Sequence, residues 1–331
     1  MFKKFITVAS SLALSAMCLT GCNQTTTDKE AKKTLDKVTI AEVTHSVFYA
    51  PQYAAVTKGF FEEEGIEVDI INTSGADKTM AALISGEAQV GLMGPEASIY
   101  VYNQGNENYA VNFAQLTKTD GSFIVAREEM PNFSLEDLKG KDILGGRKGG
   151  VPLMTLEYVL KKNGLTIGTN KEAGEVNVRT DVQFGVMAGA FAGGEGDFTT
   201  AFEPTGTQME EEGTGYIVAS VGELSRKVAG DVPYTAYSTT KEFMADNEDL
   251  IQRFTNALYK GQQWCKTASS EEIAQAMQPF FNDLSLNVLI SVVDRYKEVD
   301  AWCDNPLFTE ESLNTLVEIM EEAGELDKAH V

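Results

Sequence analysis

VTIAEVTHSVFYAPQYAAVTKGFFEEEGIEVDII, residues 38–71, decides the fold. Val38, Ile40 and Val43 supply the β-branched residues of a first strand, and residues 44–50 leave its carboxyl end as a loop. Pro51 suits the first turn of a helix over residues 52–58, and Gly59 tolerates the left-handed conformation that a helix end requires. Phe60 and Phe61 anchor the return, and residues 67–71 read as the next strand. Strand, loop, helix and strand in succession form a β/α unit. In open α/β sheets, ligands sit beyond the carboxyl ends of the strands, where helix N-termini present unpaired N–H groups. Residues 44–49, which carry His45, Phe48 and Tyr49, are therefore the first candidate binding loop.

Outward from this unit the pattern continues and then repeats. Residues 75–85 read as a helix with Met80, Leu83 and Ile84 on its apolar face, ended by Gly86, and residues 88–93 as a strand. From that strand comes a second candidate loop, Gly94-Pro95-Glu96-Ala97-Ser98, which opens another helix. Residues 109–116 form a further strand, Thr117-Lys118-Thr119-Asp120-Gly121 a third loop, and residues 122–127 an extended segment able to cross between domains. The order of strand, loop, proline-led helix and lysine–glycine stop then recurs. Residues 141–144 are the strand, Gly145-Gly146-Arg147-Lys148-Gly149-Gly150 the loop, and Pro152 opens a helix that stops at Asn163-Gly164. Residues 187–197 likewise parallel residues 80–88, and each copy runs through a strand to a loop holding Glu and Pro, Pro95-Glu96 in one and Glu203-Pro204 in the other. Two β/α halves argue for two doubly wound lobes whose strand ends face each other across a cleft. Residues 232–238 are a plausible return crossing, after which helices over 241–267, 270–281, 285–299 and 309–323 pack back on the first lobe. The expected division is 38–123 with 238–331 for the first lobe and 124–237 for the second.

The ends and the composition bound the setting. Met1-Phe2-Lys3-Lys4 followed by an apolar stretch over residues 5–19 reads as a secretory signal, too short for a spanning helix. The first 21 residues are then removed, and residues 22–37 form a polar tether. The chain carries a formal charge of −22 at pH 7, and loss of Lys3 and Lys4 with the signal makes it more acidic still. Such a charge argues against a nucleic-acid partner and against anchoring by a basic patch. Of the four cysteines, Cys265 and Cys303 would remain free to pair; Cys265 shares a helical stripe with Phe254, Leu258 and Gly261 and is better explained by packing. There is no HExxH, paired CxxC or His-rich tract for a metal, no GxGxxG after a strand and no GxxxxGK[ST], so no cofactor is expected.

Leu19-Thr20-Gly21-Cys22 resembles the bacterial lipobox, which implies lipidation of Cys22 and a chain held by acyl groups on the outer face of the cell membrane. The runs KGFFEEEGI (58–66) and SGEAQVGLMGP (85–95), with the strand, loop and helix opening at 142–152, are similar to ABC-importer solute-binding lipoproteins. The likeness is to the branch that binds thiamine-pyrimidine precursors, alkanesulfonates or nitrate, in the type II periplasmic-binding-protein fold. The resemblance implies a monomer that captures a small solute between its lobes by hinge closure and hands it to permease and ATPase subunits, with no catalysis. A sensor lipoprotein passing its signal to a receptor kinase is a second reading. An enzyme like the fungal thiamine-pyrimidine synthase is a third, disfavoured because that enzyme's cysteine-rich motif is missing.

Two readings of the ligand stay open at this stage. Glu96 and Glu203, if both faced the cleft about 6 Å apart, would repel by roughly 3 kcal/mol at an effective dielectric near 20 and would disfavour an anion. A planar nitrogen heterocycle with hydrogen-bond donors, stacked on Phe48 and Tyr49 and bonded to His45, fits that arrangement. Against it, Arg147 in a glycine-rich loop that opens a helix resembles an anion cradle. The candidate ligand-binding residues are therefore His45, Phe48, Tyr49, Gly94, Glu96, Ser98, Lys118, Asp120, Arg147, Gly149 and Glu203.

Overall fold

A computed structural model describes residues 34–327. The expected signal, the expected lipidation site Cys22 and most of the tether lie outside the described residues. The chain opens with β1 (Asp36–Glu42), α1 (Ala50–Thr57), α2 (Phe60–Glu63) and β2 (Ile66–Asn72). It continues with α3 (Ala76–Ser85), β3 (Val90–Met93), α4 (Glu96–Asn103) and β4 (Ala110–Thr117). Pro51 sits in the first turn of α1, and Gly59 takes φ 77° immediately before α2, as the sequence requires.

Residues 118–121 then cross to a second sheet. It is built from β5 (Ser122–Ala126), β6 (Asp142–Leu144), α5 (Val151–Lys162), β7 (Asn177–Arg179), α6 (Met187–Ala192), β8 (Phe198–Phe202), α7 (Thr205–Glu212), β9 (Tyr216–Ser220) and α8 (Val221–Ala229). The chain returns in β10 (Thr235–Thr240) and finishes in α9 (Lys241–Asp246), α10 (Glu248–Thr267), α11 (Ser270–Met277), α12 (Leu286–Glu298) and α13 (Glu310–Glu322).

The two sheets have one plan. Their strand orders are β2-β1-β3-β10-β4 and β7-β6-β8-β5-β9. In each, the first three strands are parallel, and the fourth is an antiparallel strand that arrives from the other half of the chain. The links between the sheets are residues 118–121 and 230–234, and the segments expected to cross, 122–127 and 232–238, fall largely in the antiparallel strands β5 and β10, each in the interior of the sheet it enters. Their hydrogen bonds are satisfied on both edges, which fixes the two crossings against the sheets.

The C-terminal helices close the back. The stripe Phe254, Leu258, Gly261 and Cys265 of α10 is buried against α1; a Cβ on Gly261 would lie 2.4 Å from the Pro51 carbonyl, so only glycine permits this approach. Helices α12 and α13 also reach the helices and turns around the second sheet. Arg295 of α12 pairs with Glu203 and Glu210, and on α13 Glu318 accepts from the Tyr158 hydroxyl (2.9 Å) and Glu322 pairs with Lys162 (2.6 Å). Cys265 and Cys303 are free, buried thiols, pushed up to about 12 by burial.

Candidate functional site

A cavity of about 460 Å³ lies where the carboxyl ends of the parallel strands of both sheets meet. Its wall from the first half comprises Val43 and Thr44 after β1, Tyr49, residues 74–78 at the start of α3, and Gly94 and Glu96 at the start of α4. The second half contributes residues 145–148 and 150–153 at the start of α5, residues 180 and 182–186, and Thr200 and Phe202 of β8. Tyr234 and Thr235, on the return crossing, complete it. Three helix N-termini, those of α3, α4 and α5, therefore open on this space, as strand-end geometry demands.

Glu96 is the most constrained group in it. The residue is 1% exposed at the first position of α4, and its Oε2 has no hydrogen-bond partner among the described residues. Arg147, from the opposite half, brings Nη2 to 3.7 Å of Glu96 Oε1 and Nε to 3.9 Å of Asp77, without a hydrogen bond to either. Burial pushes the Glu96 carboxyl up to about 7, with Arg147 and the backbone N–H groups of Val151 and Ala97 acting in the opposite sense. Gly94 makes the arrangement possible: a Cβ there would lie 2.0 Å from Glu96 Oε2 and 2.8 Å from Val151 Cγ2.

Of the residues singled out in the sequence, Tyr49, Gly94, Glu96 and Arg147 line the cavity. The others are placed elsewhere. Phe48 is fully buried beneath the floor, its ring 5.7 Å from those of Phe202 and Tyr234 and 5.2 Å from Tyr296, because the short helical turn at 47–49 directs it into the core. His45 lies beside the cavity wall, its Nδ1 2.9 Å from Glu42 and its Nε2 2.9 Å from the Phe280 carbonyl. The Glu42 hydrogen bond raises its affinity for a proton.

Ser98 is spent within its own helix turn, donating to the Pro95 carbonyl at 2.7 Å and accepting from Asn112. Lys118 pairs with Asp300 at 2.8 Å. Asp120 is buried in the crossing and accepts from the Ser122 N–H at 2.7 Å. Gly149 takes φ 73° and offers its carbonyl to the Tyr100 hydroxyl at 3.0 Å, fixing the loop rather than facing the cavity. Glu203 corrects the expectation of two opposed acids. It is fully buried, accepts from the N–H and hydroxyl of Thr207, and is neutralised by Arg295, so the repulsion with Glu96 does not arise.

Sequence reasoning missed Asp77, Lys78, Phe184, Phe202 and Tyr234 as lining residues. Phe202 carried a usable signal, since it ends a strand directly before Glu203-Pro204; Tyr234 carried none beyond lying on a crossing segment. Among the described residues no group of three or more His, Cys, Asp or Glu is placed to hold a metal ion.

A family model described as NMT1/THI5 like matches residues 47–271. The chain belongs to the NMT1/THI5-like family. The match begins within the first loop, takes in the cavity-lining residues from Tyr49 onward and runs to the start of α11. A curated relative, the candidate binding protein YtlA of Bacillus subtilis (strain 168), is 44% identical over 297 residues, which cover 90% of this chain and 86% of that one. Among solved structures, the alkanesulfonate-binding protein SsuA of Xanthomonas axonopodis pv. citri, bound to MOPS, aligns with a TM-score of 0.65 at 15% identity, covering 88% of this chain and 94% of that one. The nitrate-binding protein NrtA of Synechocystis PCC 6803 aligns with a TM-score of 0.60 at 17% identity, covering 78% and 69%. At these identities the likeness shows the fold, two mixed α/β sheets of the periplasmic-binding-protein type, and says nothing of the NMT1/THI5-like chain's own ligand.

Proposed function

We propose that this chain is the extracytoplasmic solute-binding component of an ABC importer, held to the cell membrane through lipid on Cys22. It takes a small planar nitrogen heterocycle with hydrogen-bond donors, such as a thiamine-pyrimidine precursor. The observation that carries the ligand class is Glu96: a buried carboxyl oxygen without a hydrogen-bond partner among the described residues, in a cavity flanked by the rings of Tyr49, Phe202 and Tyr234. A buried acceptor left unpaired costs about 1–3 kcal/mol, which an N–H from the solute would recover, while the rings give a flat molecule large faces to lie on. Membership of the NMT1/THI5-like family and the names of YtlA, SsuA and NrtA support the transport role.

Capture would follow from lobe closure. Residues 38–123 with 238–331 form one lobe and 124–237 the other, and a solute touching Glu96 and the start of α5 together binds only the closed state, shifting the population toward it. Permease and ATPase subunits would receive the solute from a monomer. Among the described residues no helix is long and apolar enough to cross a membrane, in keeping with an anchor supplied by lipid.

Arg147 and the starts of α3 and α5 favour a second reading, in which a small sulfonate or nitrate sits on those groups. Thermal-shift titration with an aminopyrimidine, an alkanesulfonate and nitrate separates them. Stabilisation by the aminopyrimidine alone is expected, and stabilisation by an anion alone would replace the first reading with the second.

A further inference from the structure

Opposite charges meet in the cavity without bonding to each other. Arg147 Nη2 stands 3.7 Å from Glu96 Oε1 and Nε stands 3.9 Å from Asp77 Oδ1, both beyond hydrogen-bond reach. Among the described residues the guanidinium makes a single hydrogen bond, a long one of 3.5 Å from Nη1 to the Lys148 carbonyl. Most of its five N–H donors are uncommitted. The backbone that carries it is held in place: the Gly150 N–H donates to the Arg147 carbonyl at 3.1 Å, and Gly149 accepts from the Tyr100 hydroxyl of the first half at 3.0 Å. A guanidinium beside a carboxylate ordinarily closes a fork onto it, yet Glu96 keeps Oε2 without a hydrogen-bond partner among the described residues. An open acceptor from the first half and open donors from the second therefore lie side by side in one cavity lining. The neighbouring charges disfavour an anion at this point. A negative group seated on Arg147 would be repelled by both Asp77 and Glu96, and the other cations of the lining, Lys78 and Lys148, are exposed, Lys148 with 77% of its side chain in solvent and Glu325 at 3.8 Å.

We propose that Glu96 and Arg147 together read one edge of the solute, on which an N–H donor and a lone-pair acceptor stand next to each other. The N–H bonds to Glu96, and the acceptor, a ring nitrogen or a carbonyl oxygen, takes an N–H of Arg147. The solute is thus a neutral ring of amidine or ureide type. A ring with its amino group on the carbon beside an unsubstituted ring nitrogen has this edge, and a ring with the amino group elsewhere does not. The 3.7 Å separation suits two bonds of about 2.9 Å running to neighbouring polar atoms of one flat edge. Either half of the molecule alone offers only one of the two bonds, so Arg147 makes recognition of the edge depend on both. This inference rests on the heterocycle reading of the same cavity and deepens it by naming the edge that is read.

The test uses the full-length chain purified in detergent and titration calorimetry with free hydroxymethyl aminopyrimidine, the heterocycle of thiamine. Burial pushes Glu96 up to about 7, so titration at about pH 8 keeps it ionised as an acceptor. Arg147→Met is expected to lower affinity about ten- to hundredfold, the loss of a charged hydrogen bond. If Glu96 alone held the ring, removing a competing cation would leave binding unchanged or tighten it, and either result overturns the assignment. Thermal melts establish that the variant is folded. Should it not fold, displacement of the bound heterocycle by two isomers carries the test. Of 4-aminopyrimidine and 5-aminopyrimidine, equal in size and composition, only the first has the amino group beside a ring nitrogen, and it is expected to compete about ten- to hundredfold better. Equal competition by the two isomers would overturn the edge assignment and leave the heterocycle reading standing. A wild-type chain that takes up no aminopyrimidine overturns the heterocycle reading itself, and this assignment with it.

Discussion

Replacing Glu96 with glutamine should move stability and affinity in opposite directions. The Glu96 carboxyl is displaced by burial from its ordinary 4.5 to about 7. At about 1.4 kcal/mol per unit, this corresponds to roughly 3 kcal/mol of native-state cost once the group is ionised on both sides of the folding equilibrium. The sign follows from proton counting. Between the ordinary and the raised value the folded chain binds more protons than the unfolded one, so stability falls as pH rises through that window. The cost is absent below about pH 4 and complete above about pH 7. Glutamine keeps the shape and never ionises. At roughly 2 °C per kcal/mol for a chain of this size, the variant should melt about 6 °C above wild type at about pH 8 and level with it at about pH 4. Affinity for an aminopyrimidine should meanwhile drop about ten- to hundredfold at about pH 8, as the charge-assisted hydrogen bond is lost. Scanning calorimetry at the two pH values and titration calorimetry at the higher one measure both effects. A glutamine variant that melts below wild type at the higher pH, or that binds the aminopyrimidine as tightly, would refute the placement of an unpaired, binding carboxyl in the cavity.

Gly94→Ala places a Cβ 2.0 Å from Glu96 Oε2 and should expel that carboxyl, lowering affinity at least as much as Glu96→Gln while leaving the fold intact; titration calorimetry checks it, and undiminished binding would contradict it. Arg295→Met leaves Glu203 buried without its counter-charge and should cost about 3–5 kcal/mol, read as a lower midpoint in urea unfolding; a loss under about 1 kcal/mol would show that the Arg295–Glu203 pair is incidental. His45, raised by its bond to Glu42, contributes stability that is fully present below its ordinary value of about 6.5 and is lost as pH rises through the raised value. His45→Gln should flatten that alkaline loss in a melting-temperature series, and a wild-type series that rises with pH there would reverse the sign of the argument.

Much of the architecture was legible because it is written locally. Pro51 and Gly59 bound the first helix, and the recurrence of that punctuation at Pro152 and Gly164 exposes the second half before any contact is known. Glu96 was legible for the same reason, since Pro95-Glu96 follows a buried strand and opens a helix at a strand end. Glu203 looks the same in sequence and ends in a different environment, because Arg295, its partner on α12, lies far along the chain and no local pattern announces the pairing. Phe48 and Tyr49 are neighbours with equal claims as stacking residues. The short helical turn sends Phe48 under the floor, whereas Tyr49 remains in the wall. Tyr234 enters the cavity wall only because the chain crosses back between the sheets, a fact of topology rather than of spacing.

The most direct measurement is native mass spectrometry of the full-length chain purified in mild detergent from cells grown in rich medium, with the molecule released on unfolding then identified. The account predicts one retained solute per chain, a planar nitrogen heterocycle with at least two hydrogen-bond donors. Recovery of a sulfonate, nitrate or another anion would contradict it, and would place the solute on Arg147 and the helix N-termini instead of on Glu96.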